Sequence, residues 1–229
     1  MVFIEQLHDR IRHDKEWRAW AKIVATLTTA EDVKFGCDHG IYHWTTVAGI
    51  AKDFVLRAGG NARDAMLADI AGLLHDCGLI CGNDKHAENG AQIAKAFLQA
   101  RYGDGRPLSN VDIEIIAHAI ANHSDGTEMN NIIDVALHFA DKIHVWRDRV
   151  YKTSSIILEE ATKIKSIDYK ITAAVLAVRY QVEDNFIPEK FFRWKKAYEA
   201  PQKAATFLGK QFILFLNDKR YILPQKTTP

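Results

Sequence analysis

The residues best able to do chemistry in this 229-residue chain are histidines and acids spread over its first two thirds. Ten histidines occur, eight of them between positions 39 and 144. His75 stands beside Asp76 at the end of the apolar run LADIAGLL, so the pair sits where a hydrophobic segment stops, partly shielded from water. A carboxylate there needs a partner, because an unpaired buried charge costs several kcal/mol or takes up a proton. An arginine or a metal ion would serve. The other candidates point to a metal: His39 and His43 four apart, His86 ten residues after Asp76, His118 and His123, and Asp141. Neutral imidazoles mixed with carboxylates suit Fe, Mn, Co, Ni or Zn, whereas magnesium prefers fewer nitrogens. The set exceeds the three or four ligands of one tetrahedral ion, so two divalent ions fit better than one.

The elements that must position these groups read as helices. Residues 2–30 carry Phe3, Leu7 and Ile11, then Trp17, Trp20, Ile23 and Val24, at helical spacing. A break at Gly36 precedes a helix of about twenty residues that ends at Gly59-Gly60 and holds His39 and His43 on one face. Asn61 with Asp64 caps the next helix, which runs through Leu67, Ile70 and Leu74 to His75. A loop over 78–84 leads into HAENGAQIAKAFLQA. The turn GDGRPLSN follows, and Ser109 with Asp112 caps a helix through Ile120. Asn131 opens a helix that carries Asp141 toward Val145. Beyond 150 the pattern changes. KITAAVLAVRYQV (170–182) reads as a strand by its β-branched residues or a helix by its alanines. Pro188 and Pro201 each mark a first helical turn. The tail after Asn217 reads as loose.

His43 followed by Val47, then LLHDCG, HAENGA, AIANH and FADK, resembles the HD-domain superfamily of metal-dependent phosphohydrolases, over roughly residues 36–150. The doublet alone is a weak signal; the ordered series His, His-Asp, His, His, Asp, each on its own helix, is a strong one. The resemblance implies an all-α, HD-domain-like helical bundle with a central metal site. It implies His43, His75, Asp76 and Asp141 as core ligands, with Asp76 bridging if two ions are present, and His86 and His123 as the extra ligands of dinuclear members. The chain departs from several branches. Leu79 stands where many dinuclear members have lysine, HSDGTEMNN replaces a Gly-Tyr-Pro loop, and CGLICG lacks the acidic pair of the stringent-response type. None of those substrates carries over.

The expected organisation is an HD-like metal-binding domain over 1–150, with residues 1–35 packed on it. A C-terminal extension over 151–229 is expected to be mostly helical, with a short strand at most. The expected reaction is hydrolysis of a phosphomonoester or phosphodiester, a nucleotide first, by metal-activated water. The alternatives are a di-iron oxygenase of the same superfamily and a non-catalytic metal- or nucleotide-binding sensor. Lys142, Arg147 and Arg149 are candidates for phosphate contacts. Asp84 and Lys85, with Asp76, are candidates for catalytic roles. His39 and His118 are candidates for an extra ligand or a contact to one. His118 and His123 diverge by about 140° on a regular helix, so both cannot reach one ion without a bend. A net charge of +1 implies no global attraction to nucleic acid or membrane. No apolar run approaches ~18 residues, and the start of the chain does not read as a secretory leader. Three cysteines, an odd number, fit a reducing cytoplasm. A homodimer is compatible with the sequence.

Overall fold

The structure, a computed structural model, describes residues 6–30, 37–103, 107–126, 128–150 and 155–223. Phe3, Gly36 and the middle of the GDGRPLSN turn lie outside the described residues. Two helices open the fold, α1 (Leu7–His13) and α2 (Lys15–Ala30), separated at Asp14, whose carboxylate accepts the Glu16 and Trp17 N–H groups. The bundle proper is α3 (Ile41–Arg57), α4 (Ala62–Leu74), α5 (His86–Tyr102), α6 (Asn110–Asn122) and α7 (Ile132–Ile143). Local signals start three of them. The Asn61 side chain accepts from Asp64 N–H, and Ser109/Asp112 and Asn131/Asp134 form reciprocal capping boxes.

The central helix is α4, buried continuously from Ala65 to Leu74. It crosses α3 so closely that a Cβ on Gly72 would lie 2.4 Å from the Ala48 Cα, so only glycine permits the approach. After His75 and Asp76 the chain makes a short 3-10 helix, Cys77–Cys81, where a plain loop was expected. Gly78 there lies against α5: a Cβ would fall 2.0 Å from the His86 carbonyl oxygen. The doublet and His86 are thereby held face to face.

The C-terminal region is not mostly helical. Short helices α8 (Ile156–Ala161) and α9 (Pro188–Phe191) and the longer α10 (Lys196–Phe207) accompany strands β1 (Ile164–Ile171), β2 (Val175–Val182), β3 (Gln211–Leu216) and β4 (Lys219–Tyr221). The sheet order is β1-β2-β3-β4, antiparallel except for the β2–β3 pair, whose connection runs through α9 and α10. "All-α" therefore holds only for the bundle. The strand reading of 170–182 prevails because Leu176, Val178, Tyr180 and Val182 are buried at alternate positions of β2. Ala177 points to the other face, while Ala173 and Ala174 lie between the strands. The tail after Asn217 carries β4. Pro201 sits inside α10, not at its start. A proline there leaves the carbonyl of residue 197 without its helical donor, and the buried Tyr180 hydroxyl donates to that Ala197 oxygen at 3.0 Å. Tyr169 docks the sheet on α3: its hydroxyl donates to Asp53 (2.6 Å), and its carbonyl accepts from the Arg57 guanidinium (3.0 Å).

Candidate metal centre

Helix ends set the histidines. His75 caps the C-terminus of α4 and His123 that of α6, while His86 opens α5. Each turns its Nδ1 onto the carbonyl three residues before it: His75 to Gly72 at 2.8 Å, His123 to Ile120 at 2.6 Å, His86 to Asn83 at 3.0 Å. A carbonyl can only accept, so Nδ1 carries the proton and Nε2 is left with its lone pair. Two carbonyls from the last turns of α4 and α6 and one from the loop before α5 thus fix three tautomers. His43, on the first turn of α3, has Nδ1 2.8 Å from His144 Nδ1, and its Nε2 lies 3.1 Å from an Arg149 nitrogen, a contact that metal ligation by Nε2 would replace. Asp38 accepts the Gly40 and His43 N–H groups at the start of that helix.

The Nε2 atoms converge on two carboxylates. Asp76 Oδ2 lies 3.4 Å from His43 and 3.3 Å from His75; its other oxygen, Oδ1, lies 3.5 Å from His123 and 3.9 Å from His86. Asp141, from α7, brings Oδ1 to 3.3 Å from His43 and 3.9 Å from His75. The His43 and His75 Nε2 atoms are themselves 3.1 Å apart. Donors about 2.1 Å from a common ion, in tetrahedral or octahedral arrangement, lie about 3.0–3.4 Å from each other. The donor set therefore fits a divalent metal, and two groups, His43/His75/Asp141 and His75/Asp76/His123, could hold one.

The electrostatics agree with a cation site. Burial alone would raise the pKa of Asp76, but the surrounding His75, His123 and His43 imidazoles hold it well below the usual carboxylate range. Asp141 is held down in the same way, against burial, by Lys142 and His43. Burial pushes His43 and His123 down, keeping them neutral. His138, lowered to about 4 mainly by burial, donates from Nδ1 to the His123 carbonyl at 2.7 Å and so braces a ligand from behind.

An open cleft of about 730 Å3 faces the centre, lined by Asp76, His86, His123 and Asp141 and by Leu79, Asp84, Lys85, Lys142 and Arg149. Other candidates are placed elsewhere. Arg147 pairs with Glu183 at 2.9 Å outside the cleft, because in the tight Arg147–Arg149 turn the two guanidinium groups diverge. His118 turns to Asp134 at 3.1 Å, away from the centre, as its angular offset from His123 requires. His39 precedes α3 instead of sharing its face; it lines the cleft, bound through Nδ1 to the Cys37 carbonyl, and burial with the Arg149 charge lowers it to about 3. Sequence reasoning missed Trp194 and Lys196, which reach the cleft from the C-terminal region, and the backing of His43 by His144. No local pattern marks any of them.

A helical bundle whose helix ends gather histidines and aspartates around a cation-sized centre defines a class of metal-binding protein. The HD domain family model matches residues 40–169, more than half of the chain, and that span contains all six converging side chains. The chain belongs to the HD domain family. A solved structure, that of a predicted HD superfamily hydrolase from an uncultured Thermotogales bacterium, is 20% identical, covering 68% of this chain and 90% of its own, with a TM-score of 0.41. No curated protein matches the sequence. No single helix among the described residues is long and apolar enough to cross a membrane.

Proposed function

We propose that the protein is a metal-dependent phosphohydrolase that cleaves a phosphomonoester or phosphodiester. The observation that carries this reading is the division of Asp76: one oxygen faces His43 and His75, the other His123 and His86. One carboxylate serving two imidazole pairs is the donor arrangement for adjacent ions. His43, His75, Asp141 and Asp76 would hold one, and His86, His123 and Asp76 the other. Divalent ions there supply a bound water of lowered pKa and charge to bind phosphate oxygens.

The chain's own residues do the rest. Arg149 and Lys142 supply cations at the cleft wall for phosphate oxygens, Arg149 with a buried, fixed guanidinium. Asp84 and Lys85, on the loop leading into α5, stand at the rim where a leaving group would need a proton. The cleft volume admits phosphate esters up to nucleotide size.

The test is metal analysis of the purified protein together with a panel of nucleotides and simpler phosphate esters assayed with each divalent metal. Asp76→Ala is expected to lose metal and all hydrolysis, and His123→Ala to retain one ion of two. Undiminished hydrolysis by Asp76→Ala would refute the mechanism. Oxygen consumption by iron-loaded protein, with no ester hydrolysed under argon, would favour the oxygenase chemistry expected as the alternative.

A further inference from the structure

Beside the cleft lies a second cavity of about 290 Å3 that the reading above does not use. Its described walls are mostly apolar, with Val145 after α7, Ile157, Leu158 and Ala161 on α8, Phe191 on α9 and the Trp194 ring, and Cys37, His39, Arg149 and Ser155 as the polar members. Three side chains, His39, Arg149 and Trp194, line both this annex and the metal cleft. Its polar groups are partly engaged, His39 Nδ1 with the Cys37 carbonyl at 2.9 Å. Ser155 accepts the Leu158 N–H at 3.3 Å as the cap of α8, and the Cys37 thiol is kept neutral by burial.

Arg149 makes the connection informative. Its guanidinium donates to the Asp38 carbonyl (2.9 Å) and the His144 carbonyl (2.7 Å). Its third nitrogen lies 3.1 Å from His43 Nε2, whose lone pair a metal ion would take, and no carboxylate pairs with the guanidinium among the described residues. A buried cation held by neutral acceptors lacks a counter-charge, which an anionic ligand would supply. A phosphate between Arg149 and the metal centre would present its ester group to the annex.

We propose that the annex seats the organic half of the substrate, and that this half is an uncharged apolar group, aryl or branched alkyl. The proposal rests on the phosphohydrolase reading for the position of the phosphate. Polyol hydroxyls, or the hydrogen-bonding edge of a nucleobase, would lose water against Val145, Leu158 and Phe191 without a replacement partner. Burying one aromatic ring there strengthens binding by about tenfold or more over a methyl group.

Calorimetric titration of the full-length, manganese-loaded protein with phenylphosphonate, methylphosphonate and 2,3-dihydroxypropylphosphonate tests this without turnover. Phenylphosphonate is expected to bind at least about tenfold more tightly than the other two. Ala161→Trp, which fills the annex, is expected to bring the phenyl-to-methyl ratio of Kd values close to one. Leu158→Ser, at a half-buried wall, is expected to reduce the preference several-fold and stands in if the tryptophan variant does not fold. Equal wild-type affinities for the phenyl and methyl compounds, or a preference that survives both substitutions, would overturn the annex assignment while leaving the phosphate site intact. Binding of none of the three compounds would overturn the phosphate site, and the annex assignment with it.

Discussion

At the scale of single residues, the arginines two positions apart show how narrowly the cleft is specified. Arg147 is half exposed and paired with Glu183, whereas Arg149 is buried and points among His43, His144 and the Asp38 carbonyl. A charge-assisted hydrogen bond to a phosphate oxygen is worth about 1.5–3 kcal/mol. Arg149→Ala is therefore expected to lower kcat/KM by about ten- to a hundredfold, and Arg149→Lys to recover little, since lysine cannot reproduce the planar fork. Arg147→Ala is expected to leave kcat/KM within about twofold. Steady-state kinetics on the three variants, with circular dichroism to confirm folding, decides the matter. Comparable losses for Arg147→Ala and Arg149→Ala would contradict the placement.

At the scale of elements, the bundle depends on how its helices begin and end. The start of α6 is fixed by Asp112, which accepts from Ser109 N–H at 2.6 Å and from Arg63. Burial alone would raise the Asp112 pKa, but the Arg63 and Ser109 hydrogen bonds prevail and lower it. With the folded-state pKa below the unfolded value of about 3.9, the carboxylate contributes stability above that pH. The contribution is lost as pH falls through the folded-state pKa. Asp112→Asn is thus expected to cost roughly 2 kcal/mol near neutral pH. The difference from wild type should shrink steadily from about pH 5 to pH 2, and urea titrations across that range measure it. A difference independent of pH would show that the charge plays no part. Because α6 carries His123 at its far end, its stability also bears on the metal centre.

At the scale of the molecule, regions remote in sequence complete the centre. Lys196 on α10 donates to the Ser124 carbonyl (3.1 Å) and to Asp125 (2.9 Å), and Lys203 to the Asp125 and Gly126 carbonyls. The C-terminal region therefore holds the turn that follows His123, while Trp194 walls the cleft. A metal binding where five helices meet is held by the folded state alone, so its removal should be felt globally. Chelation is expected to lower Tm by roughly 5–10 °C, the effect of ligand at about a hundred times its Kd on a chain of this size. Differential scanning calorimetry with and without chelator, followed by re-addition of metal, checks it. A Tm unmoved by chelation of protein known to contain metal would contradict this global coupling.

The sequence by itself determined the features that local chemistry controls. The caps at Asn61, Ser109 and Asn131 act within three residues of themselves, and each helix start is where they put it. The ordered histidines and aspartates were legible for the same reason: each sits at a helix end or first turn, or on a strongly apolar helix, and the family pattern ties them together. Tertiary structure decided what no neighbouring residue encodes. It divided the two oxygens of Asp76, chose Arg149 over Arg147, set His144 behind His43, and brought Trp194 and Lys196 to the cleft. It also made β2 a strand, because its alternation gains stability only once β1 and β3 pair with its edges and α10 packs against it. These outcomes depend on contacts across tens of residues, whose energies are settled only when the chain has closed on itself.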